Sequence, residues 1–127
     1  MSNHGNFVTT VNCMDGRVQI PVNEYLTNKY KADYVDTITE AGPNKILAEN
    51  INKTLVNSIK DRLEISINKH KSTTIAMVGH YDCGGNPAKK DEQILQIKES
   101  IELIKTWFNN VEIIGLWVDH NWKVNEL

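Results

Sequence analysis

The chain reads as an α/β domain built on a mainly parallel sheet of four to five strands flanked by helices. Three observations predict it. Short β-branched, apolar runs alternate with longer segments of helical period. The run Thr73–Gly79 is apolar without polar alternation, which marks a strand covered on both faces. Both cysteines follow such runs, so both fall beyond strand carboxyl ends, where open parallel sheets build their sites.

The totals narrow the class. The 127 residues are expected to form one domain, 1–127, with a single core. A hydrophobic share of 40% and a charged share of 24% are ordinary for a globular protein. A net charge of −2 offers no electrostatic case for a nucleic acid or an anionic membrane as partner. No apolar run approaches the roughly 20 residues of a spanning helix, and the polar start Met-Ser-Asn-His-Gly-Asn lacks the apolar core of a signal peptide. The expected compartment is the cytoplasm, where thiols stay reduced and a cysteine pair serves a metal or catalysis rather than a disulfide.

Element by element, Phe7–Asn12 is the first strand, ending at Cys13, and Gly16 permits a tight turn before a helix around Asn23–Lys31. Tyr34–Thr39 is a second strand rich in β-formers, stopped by Ala41-Gly42-Pro43. Asn44 is the expected N-cap of the next helical stretch, about Ile46–Lys69. Within it Ile51, Leu55, Ile59, Leu63 and Ile67 recur every four residues, and the β-branched residues of Asn52–Ser58 allow a break near Ala48–Asn50. After the third strand, Gly84, Gly85 and Pro87 form a loop. Asp91–Asn109 follows as a helix with Ile94, Ile97, Ile101, Ile104 and Phe108 on one stripe. Val111–Val118 is the fourth strand, Asp119–Trp122 a turn, and Val124–Leu127 a short return strand.

The chemistry concentrates in two segments, Cys13-Met14-Asp15-Gly16-Arg17 and Gly79-His80-Tyr81-Asp82-Cys83-Gly84-Gly85. If the two strand ends are neighbours, Cys13, His80 and Cys83 converge, and two thiolates with one imidazole suit zinc. Three protein ligands leave one position open, the arrangement of catalytic rather than structural zinc, and no third cysteine exists to close the site. Such an ion lowers the pKa of bound water to about 7. In an extended segment Cys13, Asp15 and Arg17 share one side. Asp15 could then orient a zinc hydroxide or take the fourth metal position, and a bidentate pair with Arg17 would decide between them. Asp82 reads as a turn former. His4, His70 and His120 read as surface residues, and Trp107, Trp117 and Trp122 as packing or interface residues. Gly84-Gly85 fits no nucleotide motif.

Together, Cys-x-Asp-x-Arg and the later His-x-x-Cys-Gly-Gly resemble the β-class carbonic anhydrases. Weaker likeness extends through Ile38–Gly42 and Ile113–Asp119, so it spans nearly the whole chain from Phe7 as a short, minimal member. The resemblance implies a zinc lyase that reversibly hydrates carbon dioxide to bicarbonate. Cys13, His80 and Cys83 would be the ligands of one Zn2+ per chain. Asp15 would orient the zinc hydroxide, Arg17 would keep Asp15 off the metal, and Gly84 would contact substrate. It also implies a homodimer or higher homo-oligomer. The family's Arg-Asn before Ala-Gly is replaced here by Thr39-Glu40. A non-catalytic zinc-binding or regulatory protein on the same fold, a hydrolase of another small molecule, and a thiol redox protein using Cys13 and Cys83 stand as alternatives.

Overall fold

The computed structural model describes residues 4–127. Its elements are β1 (Phe7–Cys13), a 3-10 turn at Gly16–Val18, α1 (Gln19–Tyr30), β2 (Tyr34–Glu40), α2 (Pro43–Glu49), α3 (Lys53–Asn68), β3 (Thr74–His80), α4 (Lys90–Lys105), β4 (Glu112–Val118) and β5 (Val124–Glu126). The strands form one sheet in the order β2-β1-β3-β4-β5, parallel except for β5, which returns antiparallel to β4. β3 is buried along its whole length, as its unbroken apolar run predicts.

The sheet is packed on both faces. Val8, Val18, Val22, Leu26, Val78 and Leu116 form one core under α1 and the β4–β5 hairpin. Val11, Leu47, Ile59, Leu63, Met77, Ile97 and Ile104 form the other, under α2, α3 and α4. The apolar stripes of α3 and α4 are therefore core, as their period requires.

The departures from expectation are local. The helical stretch after β2 is broken, as the β-branched cluster allowed: Asn50 takes a left-handed φ of 51°, and Asn52 caps α3 by accepting the Leu55 N–H. Asn44 is not an N-cap. Gly42 holds that position with a left-handed φ of 68°, Pro43 opens the helix, and the Asn44 side chain turns inward. Ile51 lies exposed ahead of α3, so the buried stripe there is Val56, Ile59, Leu63 and Ser66. α4 stops at Lys105 rather than Asn109, and three of its buried residues are Gln93, Gln96 and Ser100.

The geometry at the carboxyl ends positions the site. From β1 the chain crosses to β2 on one side; from β3 it crosses to β4 on the other. This reversal between adjacent strands is the topological switch point of an open α/β sheet. The β1–β3 pairing ends at Val11–Met77, whereas β1–β2 pairing runs on to Cys13–Glu40 and β3–β4 pairing to His80–Val118. The ends of β1 and β3 therefore separate, and Cys13 and His80 sit at the lips of the gap.

Candidate metal centre

Cys13 closes β1. Its backbone is tied down on several sides: Asn12 Oδ1 accepts the Cys13 N–H at 2.8 Å, and Gln19 Nε2 donates to the Cys13 and Asp15 carbonyls at 2.7 and 2.8 Å. The next amide, Met14 N–H, still donates to the Glu40 carbonyl at 2.9 Å. Beyond it the chain does not continue extended. Asp15 caps the 3-10 turn, accepting the Arg17 N–H at 2.9 Å, so Asp15 and Arg17 meet through a turn rather than by strand alternation.

His80 closes β3, and Cys83 follows in a turn that Asn86 N–H closes onto the Cys83 carbonyl at 3.2 Å. This turn lies against the residues after β2. A Cβ on Gly85 would stand 2.6 Å from the Ala41 carbonyl carbon, and one on Gly42 would stand 2.9 Å from Asn86 Cβ. Only glycine allows that approach.

These anchors bring the three donors together. Cys13 Sγ and Cys83 Sγ are 3.7 Å apart, and the ligand atoms of Cys13, His80 and Cys83 all lie within 4.8 Å of one another. All three residues are buried, both cysteines are free thiols, and no other such His/Cys/Asp/Glu group occurs among the described residues. His80 Nδ1–H donates to the Tyr81 carbonyl at 2.7 Å, which leaves Nε2 with its lone pair free. Nε2 is buried and has no hydrogen-bond partner in the protein. Nε2 instead faces the Cys13 and Cys83 sulfurs within 4.8 Å, where a cation bound to all three would complete it. The donor set therefore fits a metal ion.

The electrostatics agree. Cys13 is held far below the usual thiol range, first by the hydrogen bond from Cys83 and then by His80, against the cost of burial. Cys83 is pushed up by the same contact with Cys13 and by burial. The two sulfurs face each other at 3.7 Å, in a place a divalent cation would take with release of protons. Burial lowers the proton affinity of His80, but its contacts with Cys13 and the Tyr81 carbonyl outweigh this and raise it overall.

Arg17 grips Asp15 through both carboxylate oxygens, with Nε 3.0 Å from Oδ1 and Nη2 2.6 Å from Oδ2. That hydrogen-bonded pair is the main reason Asp15 is lowered to about 2. Arg17 is itself held from two further sides. Nη1 meets Asp82 Oδ2 at 3.2 Å and Nη2 donates to the Asp82 carbonyl at 3.0 Å, while the Trp122 ring lies 4.4 Å from the guanidinium carbon. Asp82 does form the turn, with a left-handed φ of 58°, but it also holds Arg17. Trp122, from the β4–β5 turn, was unreadable as a site neighbour because no local spacing links it to Arg17. Gln19 is near in sequence but carries no motif; only the turn after Cys13 brings its amide onto the Cys13 and Asp15 carbonyls. Trp117 packs in the core and His120 is exposed, whereas His70 is half-buried against Asp36.

A cleft of about 310 Å³ opens beside Cys13, lined by Cys13, Met14, Asp15, Ala41, Gly84 and Gly85. Gly84 is thus on the wall of this cleft, with open space where a side chain would stand. Three gathered protein donors, one of them on the wall of an open cleft, is a geometry that can admit a small molecule to a metal centre.

A family model described as "Putative carbonic anhydrase" matches residues 3–127, and the chain belongs to that family. Three solved structures share its fold. The carbonic anhydrase of Streptococcus mutans is 19% identical with a TM-score of 0.57, the match covering 94% of this chain and 80% of that one. A Sordaria macrospora structure, from a study of two tetrameric β-carbonic anhydrases, is 13% identical with a TM-score of 0.57, covering 99% and 82%. The β-carbonic anhydrase CafA of Aspergillus fumigatus is 13% identical with a TM-score of 0.52, covering 98% and 76%. No curated protein matches the chain. The fold is that of the β-carbonic anhydrases, and the Cys-His-Cys group stands at its switch point.

Proposed function

We propose that the chain is a zinc-dependent carbonic anhydrase that interconverts carbon dioxide and bicarbonate. The single observation that carries this reading is the unpaired, buried His80 Nε2 gathered with two thiols beside an open cleft. Cys13, His80 and Cys83 would hold the ion, and their two sulfurs and one imidazole favour zinc over magnesium, calcium or manganese. Zinc supplies a Lewis acid that brings the pKa of water to about 7.

The chain's own residues do the rest. Asp15 stays ionised and can only accept hydrogen bonds, so it orients a water proton at the cleft. Arg17 occupies both of its oxygens and so keeps the carboxylate from acting as a fourth ligand. Met14, Ala41, Gly84 and Gly85 give the remaining walls little charge, which suits a small neutral molecule such as carbon dioxide. Among the described residues no helix is long and apolar enough to cross a membrane. Two free thiols at the site suit a reducing, cytoplasmic setting. The description of one β-carbonic anhydrase relative as tetrameric supports self-association of this single-domain chain into a homodimer or higher oligomer.

Stopped-flow carbon dioxide hydration with zinc-loaded protein tests the reading. We expect a rate well above buffer, and a fall of about 10²-fold or more in Asp15→Asn with zinc content unchanged. No rate above buffer with zinc bound would reduce the chain to a non-catalytic zinc protein.

A further inference from the structure

We propose that Gln93 is a positioning residue for the metal centre: a buried amide that clamps the backbone of His80 and ties it to the Cys83 turn. The inference rests on the metal reading above and adds a residue from α4, which contributes no ligand.

The need for such a clamp follows from the sheet. Because β1 leaves β3 after Met77, the His80 N–H and C=O have no ladder partner in β1. Gln93 answers both. Its Oε1 accepts the His80 N–H at 3.2 Å and its Nε2 donates to the His80 carbonyl at 2.9 Å. The remaining capacity of the amide is also used: Nε2 donates to the Ala88 carbonyl at 3.1 Å, and Oε1 accepts from Asn44 Nδ2 at 3.1 Å. A primary amide has two donors and two acceptor sites. All four are engaged on a side chain only 1% exposed.

The clamp continues to the other ligand. Gln96 Oε1 accepts from Asn44 Nδ2 at 3.3 Å and from Asn86 Nδ2 at 2.7 Å, and Asn86 closes the Cys83 turn. Gly79 makes the space: a Cβ there would stand 2.9 Å from Asn44 Nδ2 and 3.0 Å from Gln93 Oε1. The strand gives up a side chain beside His80 so that two amides can reach in. Gln93 spends every donor and acceptor on the groups around His80, which accounts for a polar side chain at a buried position of α4. With Nδ1–H fixed on the Tyr81 carbonyl and the backbone fixed by Gln93, the His80 ring has one place to point.

The test uses the full chain and zinc itself, titrated against a chromophoric chelator, with cobalt(II) substitution to read ligand geometry from its absorption spectrum. Gln93→Leu is expected to weaken zinc binding by about 10- to 100-fold and to alter the cobalt spectrum. Gln93→Asn, an amide one methylene short of His80, is expected to do the same more mildly and serves if the leucine variant does not fold. Ile104→Val, a core truncation further along α4, controls for general loss of stability and should leave both readouts in place. Zinc affinity within twofold of wild type and an unchanged cobalt spectrum in the folded Gln93 variants would overturn the proposal. Equal weakening in Ile104→Val would do so as well. Failure of the wild-type chain to bind zinc would remove the metal reading, and the clamp with it.

Discussion

Two polar clusters in this molecule are each built around a histidine and reach opposite ends. The first is the Cys13–His80–Cys83 group at the switch point. The second lies nearer the start of the strands, where Asp36 of β2 receives both His70 Nδ1–H and the Ser66 hydroxyl at 2.6 Å on one oxygen. Thr9 Oγ1 lies 2.6 Å from both Ser66 Oγ and Ser72 Oγ, and Phe7 stacks on the His70 ring at 4.4 Å. A serine, a histidine and an aspartate in contact invite a catalytic reading. The geometry denies it: serine and histidine both spend themselves on the carboxylate, and neither activates the other. Asp36, Ser66, Ser72, Thr9 and His70 Nδ1 answer one another, and the rest of the His70 ring is part-exposed, so the cluster braces β1, β2 and the end of α3. At the switch point His80 Nε2 is left unanswered. A histidine is informative when the fold withholds its partner.

The contrast can be broken most sharply at the metal centre. If the proposed zinc site holds, Cys13→Ser should drop bound zinc from the expected one ion per chain to near none by elemental analysis, while a folded circular dichroism spectrum persists. Full zinc occupancy in this variant would show that Cys13 is not needed. At the second cluster, Asp36→Ala should cost about 1–3 kcal/mol in urea unfolding by stranding buried partners, with zinc affinity unchanged. Loss of zinc there would mean that the clusters act as one. The smallest effect is expected at the C-terminal hairpin, where Glu126 is lowered first by its hydrogen bond with Lys29 and then by Tyr25. A carboxylate whose folded pKa lies below its unfolded value stabilises above the unfolded value, and that stability is lost as pH falls through the folded one. Glu126→Gln should therefore flatten the acid-side decline below about pH 5. The change should stay under about 1 kcal/mol, because the pair is partly exposed. An unaltered denaturation profile between pH 5 and 3 would assign that decline to other groups.

Much of this was legible in the chain itself, for identifiable reasons. The strand order of hydrophobic runs and the stripes of Ile59, Leu63, Ile97 and Ile104 are periodic, and period survives without coordinates. Cys13, Asp15, Arg17, His80 and Cys83 stood out because rare reactive residues closed two apolar runs. Asn44 misled because an asparagine before a helical stretch has the composition of a cap, whereas Gly42 and Pro43 had already set the helix start. Asp15 and Arg17 were paired correctly, but by a turn and not by strand alternation.

What the sequence determined alone was the inventory: which donors exist, that each ligand segment ends a strand, and that helices must cover both sides of the sheet. Local pattern suffices there, because helix and strand periods and turn chemistry act over a few residues. The tertiary structure alone decided the meetings. The divergence of β1 from β3, the 3.7 Å approach of two sulfurs 70 residues apart, Trp122 over Arg17 and Gln93 on His80 all depend on long-range packing. No spacing encodes such contacts, because they arise only when separate elements are pressed onto one sheet.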